Sequence, residues 1–336
     1  MSQLKSSSAK NNVLAIGNAI VDVLARVDNA FLDEHGMPKG GMTLIDGGRA
    51  EQLYGAMGET TEVSGGSAAN TAAGIAALGG KVQFIGRVRN DALGEVFGRD
   101  IKALGVQYDT APATDGPSTA RCMIMVTPDG QRTMNTYLGA SIDLTPDDIE
   151  ASAVAAAEIT YLEGYLWDQP MAKEGMRKAM RLAHDSGRKV AMSLSDSFCV
   201  DRHREEFQHL VEHHIDILFA NEAEIISLYQ SKDFDAALQH VRHHVDVAAL
   251  TRSEKGSVIL AGEEVHIIDA IKGVTVVDTT GAGDLYAAGF LYGFTHDFDL
   301  HAAGRLGSLC AAEVISHLGP RPQKPLKPFV AEAQKG

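Results

Sequence analysis

The stretch VTVVDTTGAGDLYAAGFLYG, from Val274 to Gly293, decides how the rest of the chain is read. Val274 to Val277 is a short β-branched run that reads as a buried strand, ended by the turn material Asp278, Thr279 and Thr280. Gly281 and Gly283 then open Leu285-Tyr286-Ala287-Ala288-Gly289-Phe290, apolar on nearly every side and therefore a buried helix. Strand, glycine turn and buried helix follow one another directly.

Such a turn selects what it binds. The first N–H groups of a helix lack intrahelical partners, lie at the positive end of its dipole, and are open to an anion where glycines replace larger residues. A phosphate fits that seat. Asp284 falls in the first helical turn, where the same field favours its ionised form. An anion seat beside a carboxylate that can accept a hydroxyl proton is the pairing that phosphoryl transfer to an alcohol requires. From these residues alone, a glycine-rich cap with an ordinary first-turn acid fits equally well.

Outward from that stretch, composition narrows the class. The chain has 336 residues, enough for one large domain with an appendage or for two domains, and 45% hydrophobic residues, as a folded core needs. A formal charge of −14 without a basic stripe argues against nucleic acid as partner, so substrate phosphates must be handled by backbone amides and a metal. Cys122, Cys199 and Cys310 form no CxxC pair, which fits a reducing compartment, and no signal or membrane-spanning run is visible. The expectation is a cytoplasmic protein with no membrane partner.

In chain order, residues 1–12 read as a disordered leader and Val13 to Ile16 as a strand ending at Gly17-Asn18. Asp22 sits in apolar surroundings and needs partners, which a bound polyol or backbone amides could supply. From Arg26 to Thr61 the pattern is irregular and reads as an excursion from the main sheet. Ser64-Gly65-Gly66-Ser67-Ala68-Ala69-Asn70-Thr71 leads into a small-residue helix, Ala72 to Leu78. Close helix packing explains its alanines; Asn70, with donor and acceptor one turn in, asks for a ligand.

Two motifs are set aside. Gly74 to Lys81 resembles a P-loop, but the spacing is off by one and Val82 stands where Ser or Thr would bind magnesium. His209-Leu210-Val211-Glu212-His213 matches HxxEH but lies in a charged helix without an obvious third ligand.

Beyond Arg87, helix and strand patterns alternate. Leu93 to Leu104 is helical, and Thr119 to Val126 with Arg132 to Leu138 reads as a hairpin about Pro128-Asp129-Gly130. Strands at Ile159 to Leu162, Lys189 to Leu194 and Ile215 to Phe219 follow, separated by helices. This alternation predicts a parallel α/β sheet with its ligands at the carboxyl ends of the strands. Gly17-Asn18, Gly164-Tyr165, Ser193 to Asp196, Asn221 to Glu224 and Gly281 to Asp284 then share one rim. Asn221 and Glu224 fit a helix cap, or the orientation of hydrated Mg²⁺, or both.

Gly65-Gly66-Ser67-Ala68-Ala69-Asn70 and Asp278-Thr279-Thr280-Gly281-Ala282-Gly283-Asp284, with Asn221-xx-Glu224 between them, give the chain a resemblance to the ribokinase/PfkB family of carbohydrate and nucleoside kinases. It runs from Val13 to about Pro322. The resemblance implies a ribokinase-like α/β fold over 13–330, with a large, Rossmann-like, mostly parallel sheet flanked by helices. A small β-sheet lid is expected from roughly 23–64 and 119–138. It implies ATP and Mg²⁺, with a monovalent cation such as K⁺ as a further candidate, in a monomer or homodimer.

Asp284 would be the base, and Gly281, Ala282, Gly283 and Asp284 an anion hole. Asn18, Asp22, Gly65, Gly66, Asn70 and Arg132 would serve the substrate. Asn221, Glu224, Thr251, Gly256, Thr279, Gly281 and Gly283 would serve the nucleotide, with Glu224 reaching the metal through water. The expected acceptor is a nucleoside primary hydroxyl, the 5′-OH of adenosine, with a free sugar such as ribose or fructose as the alternative. The aromatic residue lining a base pocket is left among Tyr165, Leu166 and Trp167.

Overall fold

The computed structural model describes residues 9–335. A nine-stranded sheet runs in the order Glu264–Ile268, Ser257–Ala261, Val247–Thr251, Ile217–Asn221, Lys189–Ser193, Ala157–Glu163, Asn11–Ile16, Val82–Ile85, Gln107–Tyr108. From Val247–Thr251 to Gln107–Tyr108 the pairing is parallel; Ser257–Ala261 and Glu264–Ile268 add on antiparallel. Alternation along a strand explains the layering. In Asn11–Ile16, Val13 and Ala15 enter one core with Phe290 and Ala72, while Leu14 and Ile16 enter another with Met176 and Phe207. Strands buried on both faces read as the continuous apolar runs seen in the sequence.

The helix Ala282–Phe294 lies between Ser67–Leu78 and Leu300–Val314. Small residues are required at those crossings. A Cβ at Gly289 would stand 2.7 Å from the carbonyl oxygen of Leu306, and one at Gly74 would stand 2.6 Å from Ala288 Cβ.

A second sheet of five strands runs Met42–Leu44, Arg132–Tyr137, Ala120–Val126, Ile20–Arg26, Thr61–Gly65. Its hairpin turns where expected: Thr127 N–H donates to the Gln131 carbonyl at 3.0 Å, and Gly130 takes φ 81°. The small sheet joins the large one through Gly17–Ala19 and through Gly65-Gly66, where Thr61–Gly65 turns into the helix Ser67–Leu78.

Several boundaries move. Residues 1–8 of the stretch read as a leader lie outside the described residues, and the first strand begins at Asn11, inside that stretch. Asn12 is held there by its amide to the Lys81 carbonyl and its side chain to Lys81 N–H, both 2.8 Å. The alanine-rich helix starts at Ser67 rather than Ala72. The irregular stretch contains helices Asn29–Glu34 and Gly47–Ala56, capped by Asp28 and Asp46.

Val274 to Val277 is not a strand: Val276 and Val277 are half exposed, and the run crosses the rim of the cleft, tied by Val277 N–H to the Ile315 carbonyl. The sheet ends at Glu264–Ile268, and those valines do not pair with that edge. Among the described residues no three side chains are posed to hold a metal, and His209 and His213 only face one another on an exposed helix turn.

Candidate active site

Asp278 builds the turn that carries the glycines. Its Oδ1 accepts from the amide and hydroxyl of Thr280, its Oδ2 from Gly319 N–H and from Arg132 Nη1. Burial works against its charge, but these donors together hold its carboxyl below the usual range. Gly281 caps the helix at φ 80°, and a Cβ there would meet Pro320 Cα at 2.8 Å. At Gly283 an added Cβ meets nothing. The Ala282 amide donates to the Thr279 carbonyl. Among the described residues no acceptor takes the amides of Gly283 and Asp284, so both point out of the helix mouth uncommitted.

Asp284 is fixed on both oxygens. Ser67 Oγ donates to Oδ1 at 2.6 Å and Asn70 Nδ2 to Oδ2 at 2.8 Å. Burial raises its pKa, and those two donors and the Arg321 charge pull it back. A carboxylate so placed is oriented and more basic than in water, which suits proton acceptance.

The glycine pair of the other motif has a steric cause. A Cβ at Gly66, φ 96°, would stand 2.2 Å from the Asn18 carbonyl, and one at Gly65 would stand 2.6 Å from the Asp22 carboxyl. Asp22, Asn18 and Asn70 are all buried. Asn18 Nδ2 donates to Glu163 Oε1 at 2.8 Å, and Glu163 Oε2 accepts from Ala68 N–H at 2.9 Å. Among the described residues the carbonyl oxygens of the Asn18 and Asn70 side chains have no partner, leaving two buried acceptors unsatisfied. Burial pushes Asp22 up to about 6 and Glu163 up to about 7.

Asn221 and Glu224 form a reciprocal capping box: Asn221 N–H and Nδ2 donate to the two Glu224 oxygens at 2.9 and 2.6 Å, and Glu224 N–H donates to Asn221 Oδ1 at 2.9 Å. Burial, with Asp196 nearby, pushes Glu224 up to about 7. An amide and carboxyl pair of this kind fits a cation that keeps most of its waters.

One cleft of ≈ 1420 Å³ joins these groups. Of the residues singled out in the sequence, Asn18, Asp22, Gly66, Asn70, Asn221, Glu224, Thr251, Gly256, Thr279 and Gly281 to Asp284 line it. Gly65 lies behind Asp22 instead. Arg132 is held by Asp278 and, at 3.2 Å, by Thr280 Oγ1, while its Nε and Nη2 stay buried without partners among the described residues. Of the three aromatic-pocket candidates Tyr165 lines the cleft, and Leu166 and Trp167 are core residues. Ser67, Glu163 and Arg321 were not singled out. Ser67 stood inside a quoted motif and Glu163 at the end of an apolar strand, the one cue available; Arg321 gave none.

Fold and site together suit a phosphotransferase: two uncommitted amides, an oriented carboxylate beside them, and buried polar side chains below. A family model described as pfkB family carbohydrate kinase matches residues 11–326, and the chain belongs to that family. It is similar to the crystal structure of adenosine kinase from Sinorhizobium meliloti, at 52% identity over 97% of this chain and 100% of that one, TM-score 0.88. It is equally similar to a probable sugar kinase from Rhizobium etli, at 51% identity over 97% and 99%, TM-score 0.89. Adenosine kinase of Saccharomyces cerevisiae is 25% identical over 92% of this chain and 96% of its own. The chain is thus a PfkB-family kinase of adenosine kinase-like type. No described helix is long and apolar enough to cross a membrane.

Proposed function

We propose that the protein transfers the γ-phosphoryl group of ATP to the 5′-hydroxyl of adenosine. The observation that carries this reading is the two-sided cleft around Asp22. Its floor is polar, with Asp22 and the orphan oxygens of Asn18 and Asn70, a match for ribose hydroxyls. Its roof, the small sheet that also bears Asp22 and Thr136, is otherwise apolar: Ile20, Met42, Leu44, Cys122, Ile124 and Met134, with Leu138 just beyond the strand. Met42 and Leu44 are 54% and 58% exposed, an apolar surface that a purine would cover. A free sugar, polar all round, would leave that roof bare.

In this reading the ribose lies on Asp22, Asn18 and Asn70, backed by Gly65 and Gly66, with its 5′-hydroxyl toward Asp284. Asp284 accepts the hydroxyl proton as the oxygen attacks phosphorus. The free amides of Gly283 and Asp284, with Gly281 and Ala282 shaping the turn, receive the charge on the transferring group. Arg132 brings two unspent donors to the same turn from the small sheet. Thr251, Gly256 and Thr279 line the nucleotide end, and Asn221 and Glu224 would hold hydrated Mg²⁺, which neutralises phosphate charge when bound. Closure of the small sheet, 23–64 and 119–138, would exclude water as competing acceptor.

The likeness to a probable sugar kinase supports a second reading, phosphorylation of a free sugar such as ribose or fructose. An ATP-coupled assay across nucleosides and sugars separates the two. Adenosine turning over best is the expected result; turnover of a sugar without any nucleoside would reject it.

A further inference from the structure

The segment after the helix Leu300–Val314 returns to the glycine turn. Gly319 N–H donates to Asp278, and Pro320 packs where a Cβ of Gly281 would stand. Arg321 comes next and grips the junction between the two sheets. Its Nη1 donates to the Ala69 carbonyl at 2.7 Å, its Nη2 to the Ser64 carbonyl at 2.9 Å and to Ser64 Oγ at 3.2 Å. Ser64 is clamped from its other side, where its N–H donates to Asp100 Oδ2 at 2.7 Å.

Every hydrogen bond that this guanidinium donates goes to a neutral oxygen, so among the described residues no carboxylate forms an ion pair with it. Its charge is nevertheless felt by Asp22, Asp100 and Asp284. These lie on the strand Ile20–Arg26, the helix Ala92–Ala103 and the helix Ala282–Phe294. A fixed cation near the buried Asp22 and Asp284 favours the ionised forms of those two.

We infer that Arg321 is a positioning residue: it fixes the junction Ser64–Ala69, which carries Ser67 toward Asp284, and adds a positive charge that favours the ionised form of Asp284. The inference rests on the reading of Asp284 as base. Ser67, Asn70 and Arg321 support the charge of Asp284, Asp22 and Glu163 oppose it when they are themselves ionised, and the phenols of Tyr161 and Tyr165 feel it. Among the described residues Arg321 supplies the one positive charge acting on Asp284, beside the neutral donors Ser67 and Asn70.

The test is kcat/KM for adenosine against pH at saturating Mg²⁺ and ATP, for wild type, Arg321→Gln and Arg321→Lys. Gln keeps an amide donor for the junction and loses the charge; Lys keeps the charge and loses the planar fork. In Arg321→Gln the acid limb should move up by about one pH unit, a roughly tenfold loss below the limb and little above it. Arg321→Lys should return the limb to its wild-type position. A limb that does not move in Arg321→Gln, or one that moves and that Lys does not restore, would overturn the inference. Should Arg321→Gln not fold, Arg321→Lys decides alone: an unmoved limb supports the charge role and a shifted one contradicts it. Asp284→Asn separates the two layers. Turnover retained there removes the base itself, whereas an inactive Asp284→Asn with an unmoved limb in Arg321→Gln removes only the role of Arg321.

Discussion

Gly281 and Gly283 stand two residues apart in one turn, yet adding a methyl group to each should act in opposite directions. In Gly281→Ala the new Cβ must sit at φ 80° and 2.8 Å from Pro320 Cα. The left-handed backbone costs about 1–2 kcal/mol and the overpacking about 1–3, so roughly 2–5 kcal/mol in all. That is a large part of the stability of a domain. In Gly283→Ala the Cβ meets no atom, and replacing a helical glycine returns up to about 1 kcal/mol. The same methyl, however, projects beside two uncommitted amides, where a phosphoryl group must approach to within hydrogen-bond distance. Displacing that group by about 1 Å is worth about 10²-fold in rate. Urea unfolding and steady-state kinetics on the two variants give the comparison. Gly281→Ala should be the less stable protein; Gly283→Ala should be as stable as wild type or more so, with kcat/KM for ATP down about a hundredfold. A Gly283→Ala enzyme with wild-type kinetics would show that no phosphate comes to this turn.

Other consequences concern the substrate cleft. Met134→Asn, which makes one patch of the apolar roof polar, should raise KM for adenosine roughly 10- to 100-fold while leaving KM for ATP nearly unchanged; initial-rate kinetics with each substrate varied would check this. Glu163 binds its proton more tightly in the folded state, because burial raises it to about 7 from an ordinary 4.5. Its contribution to stability is therefore fully present below pH 4.5 and is lost as pH rises through 7. Glu163→Gln should flatten the fall in unfolding free energy across that window, measured by urea unfolding at several pH values; an unchanged slope would show that Glu163 is already ionised in the fold.

Local signals carried much of the structure into the sequence. Pro128-Asp129-Gly130 specifies a turn by its own backbone preferences, and the helix Pro170–Asp185 forms with the bounds its sequence suggests, Pro170 opening it. Apolar runs such as Val13 to Ile16 report strands buried on both faces. The misreading at Val274 to Val277 has a physical cause: β-branched residues state that they suit a pleated surface, not that an unfilled sheet edge is there. Here they border the cleft instead.

For the site, the glycine motifs were legible because a glycine with no room for Cβ has few substitutes, as the contacts at Gly65, Gly66 and Gly281 show. Arg321 and Glu163 were not, since each acts through groups far away in the chain. Arg321 reaches Ser64 across 257 positions and Glu163 reaches Asn18 across 145. The capping box of Asn221 and Glu224 shows the converse, a local pattern so complete that its geometry alone does not require a metal.

Asp284→Asn, assayed for turnover of adenosine with ATP and separately for ATP binding, tests the proton-accepting carboxylate most directly. The amide keeps the shape of the side chain and discards the base. Turnover should fall by about 10²–10⁴-fold with the dissociation constant for ATP nearly unchanged, and turnover within a few fold of wild type would contradict the mechanism.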